Sequence, residues 1–263
     1  MRVDSSNHVP THHLPELPPK KSQRWLASGQ NGRVRAAATL RAPDGLDGVD
    51  IAFGDSTVWR LIPRHNQAVY TVPDLSCDVV WLSGERPVPF ARTVQPINTT
   101  LDAGQCAVGI RFAPDVVSVE VDPSWSGWSS DVPDRRALLC RAVAEGAIRA
   151  ERDDRLAAAL HLLDQPKVRI PAVAADLNAS ERQLGRWTLR ATGLSPKQLY
   201  RHLRLRRFWE LDSHLSLAQR SIAAGYYDQA HASAEIMDLT GLSPRRLVAL
   251  TTSDSSKTEP GTP

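Results

Sequence analysis

Eight basic residues stand close together in the second half of this 263-residue chain. Between positions 180 and 207 they face a single acidic residue, Glu181, and they are Arg182, Arg186, Arg190, Lys197, Arg201, Arg204, Arg206 and Arg207. A positive excess of this density favours a polyanionic partner, and nucleic acid phosphate is the simplest one. A basic run alone is equally typical of a solvated helix face, so the elements that carry these residues must decide.

The net charge of +3 comes from the C-terminal part of the chain. Residues 1–150 hold 16 Lys and Arg against 16 Asp and Glu, whereas residues 151–263 hold 16 against 13. The chain has 41% apolar and 23% charged residues, which is typical of a soluble globular protein and excludes a wholly disordered one. The excess charge is therefore confined to one part of a folded protein.

Cysteine usage and hydropathy predict a cytoplasmic protein. Cys77, Cys106 and Cys140 form no CxxC pair, which excludes a cysteine zinc cluster and a disulfide scaffold and favours a reducing compartment. The chain has no run of about 18 uncharged apolar residues, so we expect no membrane-spanning helix. The N-terminus has no apolar segment of the kind found in secretory signals.

A pentapeptide, TGLSP, occurs at 192–196 and again at 240–244, a spacing of 48 residues. Each copy follows a pattern that predicts a helix, a short turn and a second helix with a polar N-cap, which is Ser180 or Asp228. The predicted helix pairs are 170–177 with 180–192, and 217–224 with 228–239. Two helix-turn-helix units are therefore expected, joined by an apolar helix over 197–211.

The sequence before this region predicts β structure. Turn signals such as Asp47-Gly48 separate short apolar runs at 57–59, 78–82, 107–110 and 117–121. From about 134 the pattern becomes helical. Strands followed by helices predict an α+β multidomain chain, with a β-rich, sandwich- or barrel-like domain before an all-α domain of two helix-turn-helix subdomains and a linker helix. The predicted limits are a disordered tail at 1–22, the β-rich domain at 23–133, a helical connection at 134–150, the double helix-turn-helix domain at 151–250 and a second disordered tail at 251–263.

Several stretches of the helical part form a specific set of motifs. They are VAADLNASERQLGR at 173–186, GLSPK at 193–197 with RHLR at 201–204, GYYDQAH at 225–231 and GLSP at 241–244. Together they resemble the DNA-binding domain of AraC/XylS-type transcriptional regulators. In the first half, VPDLSCDVVW at 72–81 and VGIRFAP at 108–114 resemble the small β domain of uncharacterised role that is often fused to this DNA-binding domain.

The resemblance implies a bacterial, sequence-specific DNA-binding transcriptional regulator whose main partner is double-stranded DNA and which needs no cofactor. It also implies that the β domain binds a small-molecule effector or forms a homodimer, and RNA polymerase is a further expected partner. Two alternatives stay open. The chain could be a degenerate member of the family that acts mainly through a protein partner, or a small-molecule-binding protein.

The predicted second helix of the first unit carries the main candidates for base contacts. At 100° per residue, Arg182 and Arg186 point away from its apolar face. Arginine donates paired hydrogen bonds to guanine O6 and N7, so these two residues are expected to read bases. Gly185 lets the backbone approach the DNA, and Ser180 is a further candidate. Leu189 also turns outward, and we expect it to pack on a neighbouring helix.

The corresponding helix of the second unit has fewer polar side chains. Its candidate base contacts are Gln229, His231 and Ser233. Four positions depart from the family pattern, and they are Arg220, Ser221, Ala232 and Ala234. These departures predict that the second unit is the weaker reader. The expected phosphate contacts lie in the first unit and the linker helix, and they are Arg190, Lys197, Arg201, Arg204 and Arg207. Arg204 could equally be a buried structural arginine.

The sequence predicts neither an enzyme nor a metal site. His65 is the only histidine between positions 14 and 160, which excludes a multi-histidine cupin site. Cys77 lies among apolar residues, which favours a buried small side chain over a nucleophile. The β half is rich in tryptophan, which could line a ligand pocket, although core packing is the favoured interpretation. These residues are Trp25, Trp59, Trp81, Trp125 and Trp128.

Overall fold

A computed structural model describes residues 39–40, 46–53, 56–82, 86–128, 134–211 and 214–252. The predicted tail at 1–22 and Trp25 lie outside the described residues, as do residues 253–263 of the second predicted tail. The described part ends with a helix that runs to Thr252.

Ten strands form three antiparallel sheets within the described residues. They are β1 (Thr39–Leu40), β2 (Leu46–Phe53), β3 (Ser56–Pro63), β4 (Gln67–Thr71), β5 (Cys77–Leu82), β6 (Val88–Phe90), β7 (Ile97–Leu101), β8 (Ala107–Phe112), β9 (Val116–Val121) and β10 (Ile148–Arg152). The strand orders are β1-β4-β7, β10-β9 and β2-β3-β8-β5-β6. The four apolar runs fall in β3, β5, β8 and β9, so their assignment to strands is confirmed.

Eight helices are described, most of them in the C-terminal part. They are α1 (Arg135–Ala144), α2 (Asp154–Leu163), α3 (Ile170–Asp176), α4 (Glu181–Thr192), α5 (Pro196–Glu210), α6 (Leu217–Ala224), α7 (Gln229–Thr240) and α8 (Pro244–Thr252). The two predicted helix-turn-helix units are α3–α4 and α6–α7, and the predicted linker helix is α5. The prediction of a β-rich part followed by two such units is confirmed.

Strand β8 lies at the centre of the five-stranded sheet, and all six of its residues are buried. A Cβ on Gly109 of this strand would lie 2.3 Å from the Trp59 ring, so only glycine allows the ring to cross the strand. Leu138 and Leu139 of α1 pack on the same core. Trp59 and Trp81 are buried core residues as expected, whereas Trp125 and Trp128 are partly buried and pack against the core, where the ring of Trp128 meets that of Trp81 edge to face.

Two local predictions for the first half are wrong. Asp47 and Gly48 lie inside β2 rather than in a turn, because β2 is an edge strand, where polar and small residues are tolerated. The segment 134–150 is helical only through α1. Gly146, at φ 75°, then turns the chain back, and from Ile148 it forms β10 against the free edge of β9.

The ends of the recognition helices follow from local sequence. Ser180 caps α4 by accepting a hydrogen bond from the Gln183 amide, while the Gln183 side chain accepts one from the Ser180 amide. Asp228 caps α7 in the same position of the repeat. Gly193 and Gly241 end the two helices in the left-handed conformation, at φ 73° and 68°. The repeat therefore makes α4 and α7 begin and end at equivalent positions.

Each helix-turn-helix unit has its own core, and α5 contributes to both. Leu199 and Leu203 of α5 pack with α2, α3 and α4, whereas Phe208 of α5 packs with α6, α7 and α8. The loop of residues 72–76 between β4 and β5, called here the β4–β5 connection, reaches both cores. It places Leu75 in the first core and Val72 in the second.

Candidate nucleic-acid interface

Helix α4 presents a stripe of two arginines to the outside. Leu184 and Thr188 are buried on its inner side, and Arg182 and Arg186 are exposed on the other. Arg182 and Arg186 are four residues apart, so they are neighbours on one face. A Cβ added to Gly185 would meet nothing within 4 Å, so packing within the chain does not require glycine there. A partner that approaches the backbone of α4 closely would require glycine at this position.

Leu189 extends the same stripe by one turn. The prediction that it packs on a neighbouring helix is wrong, because its side chain is 57% exposed. The helices that contact α4 are α2, α3 and α5, and their shared core lies on the side of Leu184. We therefore define the α4 stripe as Arg182, Arg186 and Leu189.

Ser180 has less freedom than the arginines. Its hydroxyl accepts from the Gln183 amide at 3.2 Å and lies 3.0 Å from the Gln183 side-chain oxygen, to which it donates. The side chain is exposed, yet both hydrogen-bonding roles of its hydroxyl are used by the cap. Among the predicted base contacts of the first unit, Arg182 and Arg186 are therefore the ones that offer free reach.

The predicted phosphate contacts divide into two groups. Arg190 and Lys197 are exposed near the C-terminus of α4 and the N-terminus of α5. The other three predicted phosphate contacts, Arg201, Arg204 and Arg207, lie on α5 and are held by carboxylates. Arg207 donates to Asp164 Oδ1 at 3.0 Å and to the Ala224 carbonyl at 2.6 Å. This pairing fixes α5 to α2 and to the end of α6.

Arg204 is the buried structural arginine that the sequence allowed for. Its Nη2 lies 2.6 Å from both carboxylate oxygens of Glu235, and its guanidinium stacks over the Tyr226 ring at 4.6 Å. Arg201 donates to Glu235 as well and also to Asp238. Burial lowers the pKa of Arg201, but the hydrogen bonds to both carboxylates outweigh it and raise that pKa overall. Carboxylates therefore engage Arg201, Arg204 and Arg207, whereas Arg190 and Lys197 are exposed.

Helix α7 presents a different stripe. Ala230, Ala234 and Met237 are exposed, whereas Ala232 and Ile236 face the core. The sequence of α7 contains neither lysine nor arginine. We define the α7 stripe as Ala230, Ala234 and Met237, and it is uncharged where the α4 stripe carries two positive charges.

The predicted base contacts of the second unit lie beside this stripe. Gln229 and His231 are exposed, and Ser233 is half-buried. The Ser233 hydroxyl donates to the Gln229 carbonyl at 2.8 Å, and His231 Nδ1 accepts from the Tyr227 amide at 3.2 Å. His231 Nε2 lies 4.0 Å from Glu235 Oε2, so the imidazole is turned toward the domain, whereas Gln229 retains a full side-chain amide.

The departure at Arg220 has a structural reason that the sequence did not reveal. Its side chain is buried, and Nη1 donates to the carbonyls of Phe208 and Trp209 at 2.9 and 3.4 Å. These carbonyls belong to the last turn of α5, whose acceptors have no partner within the helix. Arg220 therefore holds α6 against the C-terminus of the linker helix.

Strand β4 and the β4–β5 connection are both bonded to the helices that carry the interface. The Tyr70 hydroxyl, in β4, donates to the carbonyl of Thr240 at the end of α7. His202 of α5 is buried, and its Nδ1 lies 3.3 Å from the Pro73 carbonyl. Burial lowers the pKa of His202, although the hydrogen bond to Pro73 opposes this shift. The neutral imidazole therefore joins the β part to the linker helix.

The connection is also anchored on the β side by buried charge. Asp74 lies 3.2 Å from Arg111 Nη1, and Arg111 also donates to Asp78 of β5. Arg92 donates to the Leu75 carbonyl at 2.5 Å, and Leu75 itself has a positive φ of 68°. Such a conformation is costly for a branched residue, so the surrounding bonds must hold it. The connection is a fixed part of the β structure rather than a free loop.

The described residues contain no group of three or more His, Cys, Asp or Glu that could hold a metal ion. None of the helices in the same part of the chain has the length and apolar character needed to span a membrane. Cys77 is buried, and burial raises the pKa of its thiol, so it lacks the thiolate character of a nucleophile.

Comparison with known families identifies the region that contains both stripes. A family model described as a helix-turn-helix domain matches residues 173–249. This range begins in α3 and ends in α8, so residues 173–249 form a helix-turn-helix domain, and the resemblance to AraC-type regulators is confirmed. The match supports a DNA-binding transcriptional regulator. A search of curated proteins found no significant match.

Solved structures give distant likenesses. An AraC-type transcriptional regulator from Chromobacterium violaceum has 24% identity, with 37% of this chain and 88% of that chain covered and a TM-score of 0.34. The C-terminal domain of AraT, a response regulator from Geobacillus stearothermophilus, has 25% identity, with 40% and 87% covered and a TM-score of 0.34. ToxT from Vibrio cholerae O395 has 10% identity, with 75% and 97% covered and a TM-score of 0.47.

Proposed function

We propose that this protein is a sequence-specific DNA-binding transcriptional regulator in which α4 is the main base reader. The observation that carries the proposal is the α4 stripe, with Arg182 and Arg186 exposed side by side on a helix that is capped and packed from behind. An arginine held in this way can donate two hydrogen bonds to guanine in the major groove. Arg190 and Lys197 lie beside the stripe and would contact phosphates.

A selection of bound DNA from a random pool, followed by binding titrations, tests this proposal. The Arg186→Ala variant should lose discrimination at one target position, by about tenfold or more for the loss of a bidentate contact. Lys197→Ala should weaken binding to all sequences alike and reduce the salt slope by about 1. An unchanged sequence preference in Arg186→Ala would contradict the assignment.

A matched control removes the same charge elsewhere. Arg149 lies on β10, and its guanidinium is paired with Glu120 at the surface, with side chains 65% and 68% exposed. Arg149→Ala lowers the net charge by the same amount as Arg186→Ala, so it should leave the selected sequence and its affinity nearly unchanged. Comparable losses in the two variants would show that general charge, and not base reading, governs binding.

The β part would act on DNA binding through the β4–β5 connection. Val72 and Leu75 lie in the cores of the two helix-turn-helix units, so an effector or a second subunit bound to the β sheets could shift both units together. A small-molecule effector, a homodimer and RNA polymerase are the partners proposed for this arrangement, in the cytoplasm. Thermal-shift screening of the full chain tests for the effector, and sedimentation of the full chain tests for the homodimer. The absence of a response in one of these experiments would remove the corresponding partner.

The uncharged α7 stripe favours one second candidate, in which the second unit binds a protein partner and only α4 reads DNA. The two functions predict different footprints. Protection of two successive major-groove segments on the selected DNA supports reading by both units. Protection of a single segment supports the second candidate.

A further inference from the structure

The α7 stripe occupies the same place in its unit as the α4 stripe does. With the 48-residue spacing of the repeat, Ala230 corresponds to Arg182, Ala234 to Arg186 and Met237 to Leu189. Both helices begin at a side-chain cap and end at a left-handed glycine. The third member is a large apolar side chain in both stripes, 57% exposed as Leu189 and 47% exposed as Met237. If one stripe meets the major groove, the other is built to do so in the next groove.

The charges around α7 also fit DNA. The repeat places Arg245 where the first unit has Lys197, and Arg245 and its neighbour Arg246 are both exposed at the start of α8. The acidic Asp238 beside Met237 is paired with Arg201, which limits its repulsion of phosphate. The second unit therefore carries cations at the position proposed for phosphate contact and apolar side chains at its base-facing positions. Exposed cations at this position favour a polyanionic partner.

The major groove presents one apolar group for such a stripe, the C5-methyl group of thymine. We propose that α7 reads thymine methyl groups, with Met237 and Ala234 as the contacting side chains. Ala234 offers a single methyl close to the helix axis, so the helix can sit deep in the groove. Met237 is longer and flexible, so it can follow the edge of a thymine at the end of the stripe. This inference rests on the proposed function, because it assumes that the domain binds DNA.

Replacement of thymine by deoxyuridine tests the proposal, since it removes the methyl group and leaves the hydrogen-bonding edges intact. The probe is the selected DNA with each thymine replaced in turn, and the full chain is titrated by fluorescence anisotropy. At one or two positions in the half-site that Arg186→Ala does not affect, we expect wild-type binding to weaken about fourfold, as for one buried methyl group. Met237→Ala should bind the thymine site more weakly and should lose the difference between thymine and deoxyuridine.

Two further variants make the result specific. Ile222 on α6 is an exposed apolar residue, 49% accessible, outside the α7 stripe, so Ile222→Ala should discriminate thymine from deoxyuridine as the wild type does. Met237→Gln keeps the length of the side chain and should behave as Met237→Ala. Because Met237 is exposed, circular dichroism should show that both Met237 variants remain folded.

The outcomes separate this inference from the proposed function. If no deoxyuridine replacement changes the affinity while Arg186→Ala alters the sequence preference, methyl reading by α7 is overturned and reading by α4 is left intact. A deoxyuridine effect of equal size in the wild type and in Met237→Ala would also overturn it, since another residue would then contact the methyl group. If no deoxyuridine replacement changes the affinity and Arg186→Ala leaves the sequence preference unchanged, the proposed function itself is contradicted.

Discussion

Glu235 should be the most damaging single position to change in the second helix-turn-helix unit. This buried carboxylate on α7 accepts from Arg201 Nε at 3.0 Å and from Arg204 at 3.0, 2.6 and 2.6 Å. Removal of one partner of a buried ion pair leaves the other charge without compensation and costs about 3–5 kcal/mol. Glu235→Ala should therefore lower the free energy of unfolding by that amount, or the melting temperature by roughly 10 °C.

Urea titration followed by circular dichroism and tryptophan fluorescence measures this effect. The exposed pair of Glu120 and Arg149 supplies the control, because a surface pair contributes about 0–1 kcal/mol. Glu120→Ala should therefore shift the urea midpoint only slightly. The double variant Arg204→Met with Glu235→Leu should recover much of the loss, since apolar residues of similar size can replace a buried pair.

Either of two results would refute this role of Glu235. A loss below about 1 kcal/mol in Glu235→Ala would mean that water reaches the pair and screens it. The double variant could also lose more free energy of unfolding than its two single variants lose together. That result would mean that the charges stabilise the fold beyond their own pairing.

Three other changes test the fold. Gly109→Ala should lower the free energy of unfolding by about 1–3 kcal/mol, as measured in urea, because its Cβ would overlap the Trp59 ring. Arg220→Ala should cost at least about 2 kcal/mol in the same assay, because it leaves carbonyls of α5 without donors. Burial keeps the pKa of His202 below that of the unfolded chain, so protonation favours unfolding. Thermal stability should thus fall as the pH drops below about 6.5, and should fall less in His202→Gln.

The sequence predicted the helices of both units well because their signals are local. A capping side chain such as Ser180 bonds to an amide three residues away, and Gly193 ends the helix wherever the chain must turn left-handed. Helical spacing predicted that Arg182 and Arg186 point away from the apolar face of α4. The two arginines of the α4 stripe were therefore predicted, whereas the exposure of Leu189 and Met237 was not.

The roles of the other arginines depended on distant partners, which local patterns do not specify. Arg204 pairs with Glu235, 31 residues away, and Arg207 pairs with Asp164, 43 residues away. A basic cluster looks the same in a sequence whether its charges face solvent or buried carboxylates. The exposure of Leu189 was missed for a related reason, because spacing shows which way a side chain points but not whether another element covers it.

The repeat explains how two units of one chain can differ in chemistry while keeping one geometry. Caps, left-handed glycines and buried residues such as Leu184 and Ile236 fix the helices, and none of them belongs to a stripe. The stripe positions are therefore free to change without cost to the fold. In the second unit Arg201 and Arg204 compensate the charge of Glu235 on the inner side of α7, so this buried carboxylate does not dictate the charge of the stripe.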